Sequence, residues 1–382
     1  MLQAQPLSLY IHIPWCVQKC PYCDFNSHAL KDQIPEADYV AALIKDLDDD
    51  IARFNLTNRR LHTVFIGGGT PSLFSANAIG EILSQVKSRF LIDDASFEVT
   101  LEANPGTVEA EKFTGFAQAG VTRLSIGVQS FESDKLIKLG RIHDSEQAKR
   151  AAKFAHQAGI KSFNLDLMHG LPEQNLENAL DDLKTAIALN PDHISWYQLT
   201  IEPNTAFHSK PPELPQDETL WSIQEEGVKL LEAAGYHQYE ISAYAKDGKQ
   251  CQHNLNYWRF GDYLGIGCGA HGKVTDPTTG KVFRTVKVKH PKGYLQADRP
   301  ALDQLNEVAQ DELTFEFMMN QLRLKEAFTL AHFSQATGLE SDLLLDQLNQ
   351  AKAQELVEHF NDSWQVTEQG HRYLNELLAR FL

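Results

Sequence analysis

The stretch "LSLYIHIPWCVQKCPYC" covers residues 7–23. Its first seven residues alternate apolar and polar side chains, as a β-strand does. The rest sets Cys16, Cys20 and Cys23 in the spacing C-x3-C-x2-C, with Pro14 and Pro21 stiffening the entry and the turn. A strand that runs directly into a loop of three thiols lets those thiols converge on one centre. It also places them where open α/β sheets hold their ligands, at the C-terminal end of a strand.

Outward from this stretch the same strand pattern returns about every 30 residues. It is found in "HTVFIGG" (62–68), "SFEVTLEA" (96–103), "TRLSIGVQ" (122–129), "KSFNLDLM" (161–168) and "HISWYQLT" (193–200). Amphipathic segments lie between the strands, for example 36–54 and 145–160, and glycines such as Gly120 and Gly159 close them. Strict alternation of strand and helix predicts a parallel sheet. Six units over residues 1–235, rather than eight, argue against a full barrel, and the pattern leaves open whether the sheet is flat or curled.

The prolines of "EPNTAFHSKPPELPQ" (202–216) break the rhythm and predict a loop, followed by one more helix over 217–236. Residues 236–300 read as a connecting segment that holds "CQHNLNYWRFGDYLGIGCGAHG" (251–272) and a hairpin near "DPTTGK" (276–281). From 301 to 382 the pattern turns mostly helical and ends in two short β-like pieces, which predicts a winged-helix-like domain. That region carries five Lys and Arg against fourteen Asp and Glu, a balance that points to packing against protein rather than to binding nucleic acid.

The whole chain of 382 residues is 42% apolar with a formal net charge of −16, so it can bury a large core and lacks the basic footprint of a phosphate-backbone binder. The first residues lack a basic, apolar and small-residue leader pattern. No apolar run approaches the roughly 18 residues of a membrane span, so a cytoplasmic protein is expected. Five cysteines, three of them bunched, do not make a disulfide framework.

Three thiols have two chemical readings. A structural zinc ion would need a fourth ligand from afar, with His12, His28 and Cys251 as candidates. An iron-sulfur cubane held by three cysteines would leave one iron open for a ligand. Polar groups at the later strand ends suit such a ligand: the glycines of "FIGGGTPS" would let backbone approach it without a Cβ in the way, and Glu102, Gln129, Asp166 and then Arg141 follow along one rim.

"CVQKCPYC", with Tyr22 before its last cysteine, resembles the signature of the radical S-adenosylmethionine (SAM) superfamily. The resemblance implies a partial (β/α)6 barrel over residues 1–235 and a [4Fe-4S] cluster on Cys16, Cys20 and Cys23, with SAM chelated to the open iron and cleaved by one electron to a 5′-deoxyadenosyl radical. In order and context the segments from Tyr10 onward are similar to the family of oxygen-independent coproporphyrinogen III oxidases and its haem-chaperone branch. By that similarity Tyr10, Gly68 and Glu102 would contact SAM, with Gly69 and Thr70 beside it and Gln129, Arg141 and Asp166 extending the rim.

The oxidase branch is similar to C-x3-C-x2-C-x-C and has a longer segment before the loop; here Phe25 stands at the further cysteine position and Cys16 comes early. "CDFNSH" and "HNLNYW" (253–258) resemble the chaperone branch, in which an H-N-x-x-Y-W motif is associated with haem. This implies haem as cargo, His253 as a candidate iron ligand, and haem-dependent acceptors that include membrane-associated respiratory enzymes; a homodimer is compatible with it. An alternative reading has His253 and Asn254 hydrogen-bond a turn with Trp258 packed beneath it. The intact cysteines and rim keep oxidative decarboxylation of coproporphyrinogen III as the alternative function.

Overall fold

The computed structural model describes residues 1–106 and 111–382. The alternating segments form β1 (Leu7–Ile13), β2 (Leu61–Gly68), β3 (Glu98–Ala103), β4 (Arg123–Gln129), β5 (Ser162–His169) and β6 (His193–Gln198). They lie side by side in chain order, each parallel to the next. Helices cover the outer face, so the central strands are nearly buried throughout; in β1 only Tyr10 is not fully so. The helix Glu36–Arg53 shows how the sequence selects this: Tyr39, Val40, Leu43 and Leu47 share one face and are buried. Gly120 ends the helix Phe113–Ala119 with φ of 106°, a conformation that favours glycine.

The sheet does not close. Beyond β6 it continues through β7 (His237–Glu240) and β8 (Ala243–Ala245), in the spatial order β6-β8-β7, all antiparallel. On the other side β1 pairs with a seventh parallel strand, β9 (Asp262–Ile266), in register Leu7 with Asp262 through Ile11 with Ile266. The hairpin expected near 276–281 joins β10 (His271–Asp276) to β11 (Lys281–Lys287), and β12 (Leu302–Glu307) completes the edge. The architecture is an α/β partial barrel extended at both edges.

Two local expectations are corrected. Residues 302–307 are an edge strand, not the start of the helical module; helices there begin at Gln310, because β11 offers an open edge to which 302–307 can bond. The proline-rich loop 202–216 contains a one-turn helix, Ala206–Ser209, capped by the Thr205 hydroxyl.

A buried charge network ties the edge extension to the core. Lys287 Nζ contacts Asp46 Oδ1 at 2.5 Å and Asp50 Oδ2 at 2.7 Å, all three side chains being at most 1% exposed. Tyr294 O–H and Gly267 N–H also donate to Asp46.

The C-terminal module comprises helices Gln310–Gln321, Leu330–Thr337 and Asp342–Ala353 and a hairpin of Val357–Phe360 with Ser363–Val366, whose outer partner is Phe328–Thr329. It has its own core of Phe317, Phe333, Leu344, Leu348 and Trp364, which Phe260 and Val282 join from the barrel side. The mostly helical, winged arrangement is thus fused to the barrel through shared apolar packing. No helix among the described residues is long and apolar enough to cross a membrane.

Candidate cluster and nucleotide site

The cysteine loop leaves β1 at Pro14 and is pinned at both ends. Trp15–Cys16 pairs with His28–Ala29, and His28 N–H donates to Pro14 O. Within the loop, Cys23 N–H donates to Cys20 O and Lys19 Nζ caps Phe25 O at 3.1 Å. Asn26 anchors it across the sheet by donating to the Cys268 and Lys289 carbonyls.

His12 ties the loop to β1. Its Nε2 faces the Asn26 carbonyl at 2.9 Å, and a carbonyl only accepts, so this nitrogen carries the proton. Burial holds the ring below its ordinary pKa, hence neutral, and Nδ1 accepts from Tyr10 O–H at 3.0 Å.

The glycine run has a reason within the fold as well as the one expected of it. A Cβ on Gly68 would stand 2.4 Å from the His12 ring, and one on Gly69 would stand 2.5 Å from Trp15 O. Gly69 and Thr70 donate to the Ile13 and Trp15 carbonyls. The missing side chains therefore make room for the cysteine loop itself, and by that packing they hold it against β2.

Cys16, Cys20 and Cys23, all free thiols, line one cavity of about 360 Å³ with Gly68, Gly69, Thr70, Glu102, Gln129, Arg141 and Asp166. The structure thus brings together ten of the twelve residues singled out in the sequence. Gly68 N–H donates to Glu102 Oε2, while Oε1 takes no hydrogen bond among the described residues. Burial, and then the nearby Asp166 carboxylate, push Glu102 up to about 7. Asp166 is also raised by burial, against hydrogen bonds that favour its charged form, including those from Asn164 and Ser125. Arg141 donates to Gly127 O and Asn104 Oδ1 and reaches Cys20 Sγ at 3.5 Å. Gln129, at φ of 71°, accepts from Tyr197 O–H.

Ser125, Ser195 and Tyr197 also line this cavity and were missed. A signal was present: Ser125, Gly127 and Gln129 alternate along β4, and Ser195 and Tyr197 along β6, so they face the same side as the expected residues.

Tyr10 and His253 lie elsewhere. Tyr10 lines a second cavity, of about 670 Å³, which shares Lys19, Phe25, Ser27, Gly68 and Glu102 with the first. His253 is fully buried in neither cavity. Its Nδ1 meets Thr63 Oγ1 at 2.8 Å and its Nε2 meets Tyr257 O–H at 2.7 Å, so to bind iron it would have to give up one of these bonds and move. Burial pushes its pKa down to about 3. The rest of "HNLNYW" is packed in place: Tyr257 is held into the second cavity, Asn256 bonds Asp262 O, and Trp258 packs under Arg323 of the C-terminal module at 4.2 Å.

Among the described residues no three His, Cys, Asp or Glu side chains gather around a single metal ion. A cubane asks less of the loop, since each thiolate takes its own iron.

Comparison with known proteins agrees with this geometry. Residues 10–186 match the model of the radical SAM superfamily and residues 308–373 that of the HemN C-terminal domain. The chain is 58% identical to proteins named heme chaperone HemW from Haemophilus influenzae and Escherichia coli, covering 100% of this chain and 99% and 100% of theirs. It is 34% identical to that of Bacillus subtilis over 98% of this chain and 99% of the relative. Its fold is similar to a solved structure of coproporphyrinogen III oxidase (HemN) from Escherichia coli, with a TM-score of 0.81 at 23% identity, over 99% of this chain and 90% of that one. From its loop of three thiols to its C-terminal module, the chain belongs to the HemW family of the radical SAM superfamily.

Proposed function

We propose that this protein is a haem chaperone that binds haem and passes it to haem-dependent acceptors, and that carries a [4Fe-4S] cluster and SAM beside the haem site. The observation that carries this reading is the joined pair of cavities, one lined by the three free thiols and the other by aromatic and cationic groups, in a chain similar over its full length to HemW relatives.

The residues fit the cluster and SAM. Cys16, Cys20 and Cys23 would hold the cluster, which when bound supplies a low-potential electron and an open iron for the amine and carboxylate of SAM. The free Oε1 of Glu102 suits an amine or ribose hydroxyl, and the Gly68–Thr70 backbone gives close approach on the same wall. Gln129, Arg141 and Asp166 offer an acceptor, a cation and a carboxylate farther along the rim. Haem-accepting proteins, membrane-bound or not, a homodimeric state and a cytoplasmic site of action all belong to this proposal.

The function is tested by incubating anaerobically reconstituted protein with haemin and then with an apo-haemoprotein acceptor. Transfer of the Soret signal to the acceptor is expected. In parallel, coproporphyrinogen III with SAM and a low-potential reductant is expected to yield no protoporphyrinogen; its formation would make the protein an oxidase.

Glu102 predicts a pH signature. With its pKa at about 7 in the free protein, it must lose a proton before both its oxygens can accept from the iron-held amine or a ribose hydroxyl of the cationic sulfonium ligand. SAM affinity should therefore rise by up to about tenfold per pH unit below 7 and level off above it. Calorimetry in buffers of different ionisation enthalpy should record proton release, and Glu102→Gln should flatten the profile. A flat wild-type profile would remove Glu102 from the SAM site.

A further inference from the structure

The second cavity is nearly twice the volume of the first and opens between the cysteine loop and the edge extension. Phe25 stands at the seam between the two, 61% exposed, an unusual position for an aromatic ring with no ring partner among the described residues. Tyr257 and Tyr263 form an aromatic wall opposite, their ring centroids 4.4 Å apart. Lys19 and Lys289 supply two cations, against one exposed carboxylate, Asp24, and Glu102 at the seam.

Three histidines line the cavity, and their bonding tells them apart. His12 has both nitrogens engaged, and His28 has one, its Nε2 3.3 Å from Lys289 O, with its ring packed edge-on to His290 at 5.4 Å between centroids. The ring nitrogens of His271, at the start of β10, take no hydrogen bond among the described residues. Burial, followed by Lys289 and Arg284, lowers the basicity of His271, which favours the neutral form that binds a metal.

We propose that this cavity is the haem site, with His271 as the iron ligand, Phe25 against the macrocycle, and Lys19 and Lys289 paired with the two propionates. This rests on the chaperone reading and replaces His253 by His271 as the ligand; His253 acts by holding Tyr257 in the wall. The chemistry is that of a planar, dianionic metalloporphyrin: aromatic faces for the ring, ammonium groups for the carboxylates, and an imidazole with an unused nitrogen for the iron.

The test titrates wild type, His271→Ala and Lys289→Ala with haemin and with metal-free protoporphyrin IX. His271→Ala should shift the Soret band and weaken haemin binding by roughly tenfold or more, leave protoporphyrin IX affinity unchanged, and recover its spectrum when free imidazole is added. Lys289→Ala should weaken both porphyrins. An unchanged haemin titration in His271→Ala, or an equal loss of both porphyrins in it, would overturn the ligand assignment. If Lys289→Ala left both affinities unchanged, the propionate pairing would be wrong. Failure of wild type to bind haemin would instead refute the chaperone reading itself.

Discussion

Replacing any one of Cys16, Cys20 or Cys23 by alanine is expected to strip the anaerobically reconstituted protein of iron and labile sulfide, by about tenfold or more relative to wild type. All three are free, lie on one cavity wall and sit in a loop held at both ends by backbone pairing, so the loss of one thiolate cannot be made good by a neighbour. The remaining cysteines provide the control. Cys251 is fully buried against Glu98, and Cys268 Sγ donates to Lys289 O at 3.0 Å; burial pushes each thiol up to about 12. Alanine at either should leave the iron content intact. Retention of the cluster in any triad variant, or its loss in Cys268→Ala, would show a different ligand set. Zinc in place of iron in the wild-type protein would revive the structural-metal reading.

What the sequence made legible was local. A strand's alternation and a helix's stripe are written within about ten residues, and so was the cysteine loop, which lies in eight. The ten residues that share the first cavity were readable because most sit towards the C-terminal ends of strands or in the loops that follow them, Arg141 alone coming after a short helix, and a parallel sheet brings those ends to one side. What stayed hidden depends on partners far along the chain. The strand "DYLGI" (262–266) lies in a glycine- and aromatic-rich stretch with too few residues for a period to register, and its partner β1 is some 250 residues away. For the same reason the second cavity, built from the cysteine loop and the β9–β11 edge, could not be assembled from spacing.

His253 is the instructive case. Its neighbours Tyr257 and Trp258 made an aromatic motif that suits haem as well as it suits packing, and sequence alone does not say which nitrogen is free. The bonds from Thr63 and Tyr257 decide that, and Thr63 comes from a different strand. The glycines of residues 67–69 were read in the same way as room for a ligand, whereas much of that room is taken by His12 and Trp15. In both cases the residue type was informative and its partner was not.

Lys287→Met is expected to cost about 3–5 kcal/mol of stability, the usual penalty when one member of a buried ion cluster is removed and the others are left behind. Here the others are two carboxylates. Asp46 would keep the Tyr294 and Gly267 donors, but Asp50 Oδ1 lacks a partner among the described residues and Oδ2 would lose its contact with the Lys287 ammonium. The pH dependence identifies the cause. Burial already pushes Asp50 up to about 6, opposed by Lys287, so its folded pKa lies above the unfolded value and stability falls as pH rises from about 4 towards 6. Without Lys287 that pKa must climb further, and the descending stretch extends to higher pH. Denaturant titrations should therefore find the variant's deficit smaller at pH 5, where Asp50 can hold a proton, than at pH 8. An Asp50→Asn, Lys287→Met double variant should recover part of the loss. A deficit that is the same at both pH values would mean that Lys287 stabilises the protein by the packing of its methylene stem, and that the edge extension is not held to the core by charge.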